Sequence, residues 1–486
     1  MKKWIQGIIT GGVLLLIVYF VIHSLSFRYS DGIMGLDRYY ELPDDSVDLL
    51  ILGSSHAFED INTAYLFDNY GISSFILAGS IQPMWNTYYY LEEALDYQTP
   101  QMIVLEAYTT TLAYDYSDNS RIIKNNYGIR NSYRKYQSLK ESVSQDEFDD
   151  YYLEYRQWHS RYTEMAANNY DCYYEKPLYQ YFMGFGVNFK TTEYERNDAK
   201  ISDESLNMKN KSEKYYRKII ELCQEKNIPL VIVVSPYIVT QREQKIYNYA
   251  EAIAEEYAVP FVNYNSEEYY DLLDIDFQSD FADQGHLNYK GNLKYTQAIA
   301  ELVTSVYSFE DHRNDSKYLD WQYHSKDVGL RIANQRIKDA QSLDELKEAI
   351  DSDESVTMYL LSVSGTSNPI MQETLERLYS DDVIIRDGSI YCIQNNIVVD
   401  SWQEPGEPKE VSRDIWYGTL FMRYQLNTLG SNIHTNAQIF YNGKQYVDEM
   451  QGVYLVICNE YTQDVVRVCQ LTVSGQEVVI TDKSGM

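Results

Sequence analysis

The chain has 486 residues, 44% apolar and 23% charged, which excludes wholesale disorder and implies two or three domains. Its 72 acidic residues against 41 basic ones give a formal net charge of -31. Such a surface repels phosphate backbones and anionic lipid, so no nucleic acid is expected as a partner and any membrane attachment must be apolar.

That apolar device stands first in the chain. Lys2 and Lys3 precede Trp4 to Phe27, a run without Asp, Glu, Lys or Arg. As a helix it spans roughly 36 Å, enough for a bilayer core with some tilt. Residues 1–28 therefore read as a single-pass signal anchor in the plasma membrane, the N-terminus cytoplasmic and the rest outside. A cleaved signal peptide is the alternative; no clean small-x-small site follows the run.

Strand and helix signals then alternate. Ser46 to Leu52 ends as a buried strand that breaks at Gly53-Ser54-Ser55-His56. A helix from about Ala64 to Asn69 stops at Gly71, Phe75 to Leu77 is a short strand, and Pro83 opens a helix to about Tyr97. Met102 to Leu105 is the third strand. The pattern resumes with helix Ser212–Lys226, strand Leu230–Val234, helix Glu243–Tyr257, strand Phe261–Tyr264 and a helix from about Lys290 to Tyr307. Apolar strands alternating with amphipathic helices predict an α/β fold, a parallel sheet with helices on both faces. Residues 117–211 are Tyr- and charge-rich without a strand signal, and read as a helical insertion over the ligand-binding edge of the sheet. Residues 308–335 are polar and read as a linker. Residues 336–486 read as a separate α+β domain: a capping box at Ser342-x-x-Glu345, a strand Val356–Val363, a helix Pro369–Tyr379, strands Val383–Ile385 and Ile390–Val399, an Asn442-Gly443 hairpin, and a second hairpin from Val453–Ile457 and Val465–Leu471.

Two segments carry chemistry. Gly53-Ser54-Ser55-His56 follows a buried strand directly. A nucleophilic serine needs a sharp turn that exposes its hydroxyl, and a following helix whose free N–H groups face a developing oxyanion. Helix capping is the simpler use of such a serine. Asp283-Gln284-Gly285-His286-Leu287-Asn288 supplies a histidine suited to proton shuttling near neutral pH, with an acid three residues earlier to fix its tautomer. His56 reads as a hydrogen-bonding support for the serine rather than a substrate contact. Asp274, Asp276, Asp280 and Asp283 read as a solvated acidic loop, lacking the spacing of a calcium loop. Most of the 49 tyrosines read as half-buried helix residues rather than sugar platforms. The five cysteines have no metal-site spacing and read as buried thiols, with a disulfide among Cys392, Cys458 and Cys469 left open.

Together, in this order, the two segments resemble the SGNH/GDSL hydrolase superfamily over residues 45–307. The resemblance implies Ser55 as nucleophile, His286 as general base and Asp283 as its orienter, with Ser54 the other candidate nucleophile. It implies oxyanion and substrate contacts from the second block, at Gly79, Ile81 and Gln82. The third block, Val104-Leu105-Glu106-Ala107-Tyr108, lacks the Asn the superfamily commonly carries there; Tyr108 or Gln82 would have to substitute, or catalysis is slow or lost. No metal or organic cofactor is implied. An anchor before such a domain is similar to the lipoteichoic-acid D-alanylation and alginate O-acetylation accessory families. That likeness implies a serine esterase or O-acyltransferase acting on a surface glycan or cell-wall polymer, beside a multipass membrane O-acyltransferase. Ser342-Leu343-Asp344-Glu345-Leu346, Val356 to Val363, Ile390 to Ile393, Asn442-Gly443-Lys444 and Gly452 to Ile457 resemble the ILEI/PANDER-type domain, which implies a binding module. A catalytically inactive scaffold or glycan-binding surface protein is the alternative reading.

Overall fold

The computed structural model describes residues 2–484 except 28, 30, 113–114, 117, 159–160, 162–181, 197–201, 353–354, 363–364, 380–383, 388, 404–408, 418–419, 429–436, 442–443, 450–451, 460 and 463. The chain divides into two compact units, Met1–Lys326 and Asp327–Met486.

Helix α1 (Lys2–Leu25) contains one stretch, Trp4–Ile22, long and apolar enough to cross a membrane, and no part of it is buried in protein. The Arg161 guanidinium donates to the carbonyls of Leu25 and Ser26 at 2.7 and 2.6 Å, closing the helix end, and lies over the Phe27 ring. Helix α2 (Ile33–Tyr39) follows, with Leu36 and Tyr39 in the main core.

Strand β1 (Leu49–Gly53) is buried along its whole length and is succeeded by α3 (Ser55–Asp60). Helix α4 (Thr63–Tyr70) is capped by the Asn62 side chain, which accepts from Tyr65 N–H. It ends at Gly71, whose φ of 71° is left-handed and favours glycine. There follow β2 (Ser74–Ala78), α5 (Met84–Ala94) and β3 (Met102–Glu106). Helices α6 (Asn119–Lys124), α7 (Tyr133–Ser142), α8 (Phe148–Tyr152) and α9 (Tyr155–Trp158) occupy the first part of the insertion. Ile123, Leu139 and Tyr151 from these helices share a small core with Ile33, against which Phe27 and Tyr29 pack. The unit continues with α10 (Asn210–Lys226), β4 (Leu230–Val234), α11 (Gln241–Glu256), β5 (Phe261–Asn263), α12 (Glu267–Leu272) and α13 (Tyr289–Val306).

The five strands form one parallel sheet in the order β2-β1-β3-β4-β5. Parallel strands buried along their length demand helices on both faces, and Leu50, Leu52, Phe75, Ile103 and Ile232 join α5, α10 and α11 in a continuous core. Each fully buried Leu or Ile there contributes about 1.5–3 kcal/mol. The order reverses at β1, with β2 on one side and β3 on the other. Open parallel sheets bind ligands outside the carboxyl ends of strands at such a reversal.

Residues 308–335, expected to be a linker, are structured. His312 Nε2 meets Asp48 Oδ2 at 2.8 Å, and both side chains are buried. After a turn at Ser316–Tyr318, helix α14 (Leu319–Asp339) begins. In it Trp321 is completely buried and donates to Ser74 O at 2.9 Å, and His324 Nε2 lies 2.9 Å from Thr63 Oγ1. The segment reads as polar because its few inward residues are spread among exposed charges.

The second unit contains α15 (Leu343–Asp351), β6 (Val356–Ser362), α16 (Pro369–Glu376), β7 (Ser389–Gln394), β8 (Ile397–Gln403), β9 (Lys409–Tyr417), β10 (Leu420–Thr428), β11 (Ala437–Tyr441), β12 (Lys444–Glu449), β13 (Val453–Asn459), β14 (Asp464–Ser474) and β15 (Glu477–Asp482). Its antiparallel sheets run β15-β14-β13-β6-β7-β8 and β12-β11-β10-β9. The expected single strand Ile390–Val399 is a hairpin instead. Asn395 and Asn396, at φ 48° and 62°, turn β7 into β8, a conformation that asparagine tolerates. Ile384 and Ile385 lie outside any strand, and Val383 falls outside the described residues, as do Asn442 and Gly443. Cys223, Cys392, Cys458 and Cys469 are all buried free thiols, which closes the question of a disulfide among the last three.

Candidate active site

Strand β1 is central, and its last residue Gly53 pairs with Ala78 of β2. A Cβ at position 53 would stand 2.8 Å from Glu106 Cβ and 3.0 Å from Ala57 Cβ, so the strand-to-helix turn closes only over glycine. The turn delivers two serines with different surroundings. Ser54 is the N-cap of α3; its hydroxyl is buried with no hydrogen-bond partner among the described residues. Ser55 opens α3, is 8% exposed, and its Oγ lies 2.8 Å from Nε2 of His286.

His286 sits in the loop before α13. Its Nδ1 lies 2.8 Å from Asp283 Oδ1, which also accepts the backbone N–H of Gly285 and of His286. The His286 hydrogen bond does most to pull the Asp283 carboxyl down to about 2, against partial burial. Asp283 is thus ionised at neutral pH. Its Oδ1 accepts the Nδ1–H of His286, which fixes that tautomer and leaves Nε2 free to accept from Ser55. Burial pulls His286 down, but the Asp283 hydrogen bond and the charges of Glu59 and Asp283 outweigh it and leave the imidazole raised above 6.5.

Several elements hold this arrangement. Helix α13 starts at the cap Asn288, whose side chain accepts from Lys290 and Gly291 N–H. The acidic run before it is not uniformly solvated. Asp280 is buried, 2.8 Å from the ammonium of Lys294, and its Oδ2 accepts Asp276 N–H. Residues 183–194 cross this edge without regular secondary structure. Met183 O accepts from Ile76 N–H, Gly186 N–H donates to Phe58 O, Asn188 O accepts from Tyr289 N–H, and Thr192 N–H donates to Phe281 O. The end of the insertion therefore ties β2, α3 and the histidine loop together.

The second-block residues lie beside this edge. Gly79 follows Ala78 and abuts Asn125, whose Oδ1 would be 2.1 Å from a Cβ at position 79. Ile81 is left-handed at φ 49°. Gln82 is fully buried; its Nε2 donates to Thr87 Oγ1 and its Oε1 has no partner among the described residues. In the third block Tyr108 N–H donates to Glu106 Oε1 at 3.0 Å, and the Tyr108 ring stacks on His56 at 3.9 Å. His56 was expected to support the serine by a hydrogen bond. Its Nδ1 makes none among the described residues, and the ring stacks on Tyr108 instead. Asp60 and Glu106, both completely buried, carried no signal in sequence because burial of a carboxylate is a property of packing, not of spacing.

No protein-family model and no curated protein is significantly similar to the chain. Among solved structures, a Bacteroides fragilis NCTC 9343 protein with the provisional designation of acylhydrolase aligns over 58% of this chain and 99% of its own, at 11% identity and a TM-score of 0.30. So slight a likeness transfers nothing to this chain. The class defined by the sheet order is an α/β fold with a parallel five-stranded sheet, joined to an antiparallel C-terminal unit.

Proposed function

We propose that the chain is an SGNH-type serine hydrolase or O-acyltransferase, with Ser55 as nucleophile, His286 as general base and Asp283 as the orienter of His286. The observation that carries this reading is the continuous chain of contacts Ser55 Oγ to His286 Nε2 to Asp283 Oδ1, each at 2.8 Å. A base must reach its nucleophile, and here it does in the resting geometry. Ser55 Oγ attacks an ester carbonyl while its proton passes to His286 Nε2. The same proton then goes to the departing alkoxide, leaving an acyl-Ser55 intermediate. Water or a sugar hydroxyl, deprotonated by His286, attacks the intermediate and releases Ser55. Which of the two arrives separates hydrolysis from transfer.

The oxyanion donors we assign are the N–H groups of Ser55, at the start of α3, and of Gly79 across the sheet edge. Each is worth about 3 kcal/mol of transition-state stabilisation. Gln82 is engaged with Thr87, which counts against its side chain as a donor.

The anchor-before-domain layout supports an outward-facing site on the plasma membrane, acting on acyl esters of a surface glycan or cell-wall polymer beside a multipass O-acyltransferase. We read the C-terminal unit as an ILEI/PANDER-like binding module. Labelling with a fluorophosphonate serine probe tests the central claim. Wild type and Ser54→Ala are expected to label, and Ser55→Ala and His286→Ala are not. A folded wild type that stays unlabelled would move a non-catalytic scaffold to the front.

A further inference from the structure

Beneath the triad lies a group of buried ionisable side chains that the proposed reaction does not use. His56 is 1% exposed, its ring stacked on Tyr108, edge-on to Tyr237 at 5.0 Å and tilted against His286 at 5.1 Å. Its Nδ1 stands 3.7 Å from Oδ2 of Asp60, and neither atom has a hydrogen-bond partner among the described residues. The other Asp60 oxygen accepts the N–H of Leu287 at 2.8 Å. Unpaired buried polar atoms are costly and rare, so two that face each other call for an explanation.

Asp60 touches both halves of the site at once. Through Oδ1 it holds the residue that follows His286; through Oδ2 it faces the residue that follows Ser55. Nucleophile and base are 231 positions apart, on separate elements. We propose that Asp60 is a positioning residue that sets the Ser55–His286 contact, one carboxyl oxygen fixing the histidine loop and the other the His56 ring. This inference rests on the serine-hydrolase reading of the site.

The groups facing Asp60 decide its charge. They are Glu59 and His56 from α3, Glu106 from the end of β3, Tyr295 and Ser235 from behind, and the His286 loop. Burial raises the Asp60 carboxyl far above its ordinary range, and the neighbouring carboxyls of Glu59 and Glu106 add to this. The Leu287 N–H and the Ser235 hydroxyl offset only part. Burial pushes Glu106 up to about 8, and burial together with His286 holds His56 neutral. A protonated Oδ2 is a donor facing the open lone pair of His56 Nδ1, and a small closing of the gap satisfies both atoms. A neutral carboxyl has the shape and hydrogen-bond pattern of a carboxamide, one acceptor and one donor. Asp60→Asn therefore conserves the strut, whereas Asp60→Ala removes it.

The test is the second-order rate of fluorophosphonate labelling of the full-length protein, compared between wild type, Asp60→Asn and Asp60→Ala, with thermal melts alongside. Asp60→Asn is expected to stay within about threefold of wild type and Asp60→Ala to lose about 100-fold, the scale of a small misplacement of reacting groups. Histidine-selective 15N NMR gives a second readout, in which His56 stays a single neutral tautomer from about pH 5 to 8 in wild type and in Asp60→Asn. Equal rates for wild type and Asp60→Ala would overturn the inference. So would Asp60→Asn as slow as Asp60→Ala, or a His56 that titrates in that range. A wild type that never labels overturns the hydrolase reading itself, and the positioning role with it.

Discussion

In the proposed reaction His286 serves as a base only while it is neutral, and its folded-state pKa is raised above the ordinary 6.5. Labelling of Ser55 should therefore be absent in acid and appear as pH rises through a midpoint above 6.5, measured as rate against pH. Asp283→Asn removes the hydrogen bond and charge that raise His286, leaving burial to lower it. The acid limb should move to lower pH while the rate falls about 10³–10⁴-fold, as expected when the tautomer is no longer fixed. That Ser55, Asp283 and His286 come together was legible in sequence because their signals are local: a glycine turn after a buried strand, and an acid three residues before a histidine. His56, Asp60 and Glu106 were not. Sequence shows an ordinary His-x-x-x-Asp on a helix and a glutamate ending a strand; only the packed structure shows that all three are sealed from water.

At the scale of elements, the parallel alternation was readable because fully buried strands leave uninterrupted apolar runs, as in Leu49–Leu52 and Leu230–Val234. The segment after α13 reads as a linker for the opposite reason, since it contributes single residues rather than a face. Trp321→Ala should lower unfolding free energy by about 3–5 kcal/mol, the cost of emptying a large buried site. His312→Ala, which strands the buried Asp48 carboxyl, should cost about 3 kcal/mol. Chemical denaturation of both variants checks this; a flexible tether would tolerate either change. The β7–β8 turn was hidden because Asn395-Asn396 lies inside a run of β-formers, and a hairpin without glycine gives a weak signal.

For the molecule as a whole, α1 is the one described helix able to cross a membrane. Full-length protein should stay with membranes through alkaline carbonate extraction, and residues 31–486 should remain soluble; full release of the intact chain would remove the anchor reading. Proteolysis of sealed vesicles reads the orientation. The net charge of -31 makes electrostatic adhesion to an anionic surface a poor substitute for the helix. Only seven residues, Ser26 to Gly32, separate α1 from α2, which is itself built into the core of the first unit. Fully extended they would span about 25 Å, and Arg161 grips the first of them. With α1 in a bilayer, such a leash fixes a working height. On the function proposed above, the site would then search a thin layer in two dimensions instead of a volume, and a substrate would have to enter that layer to be reached at all.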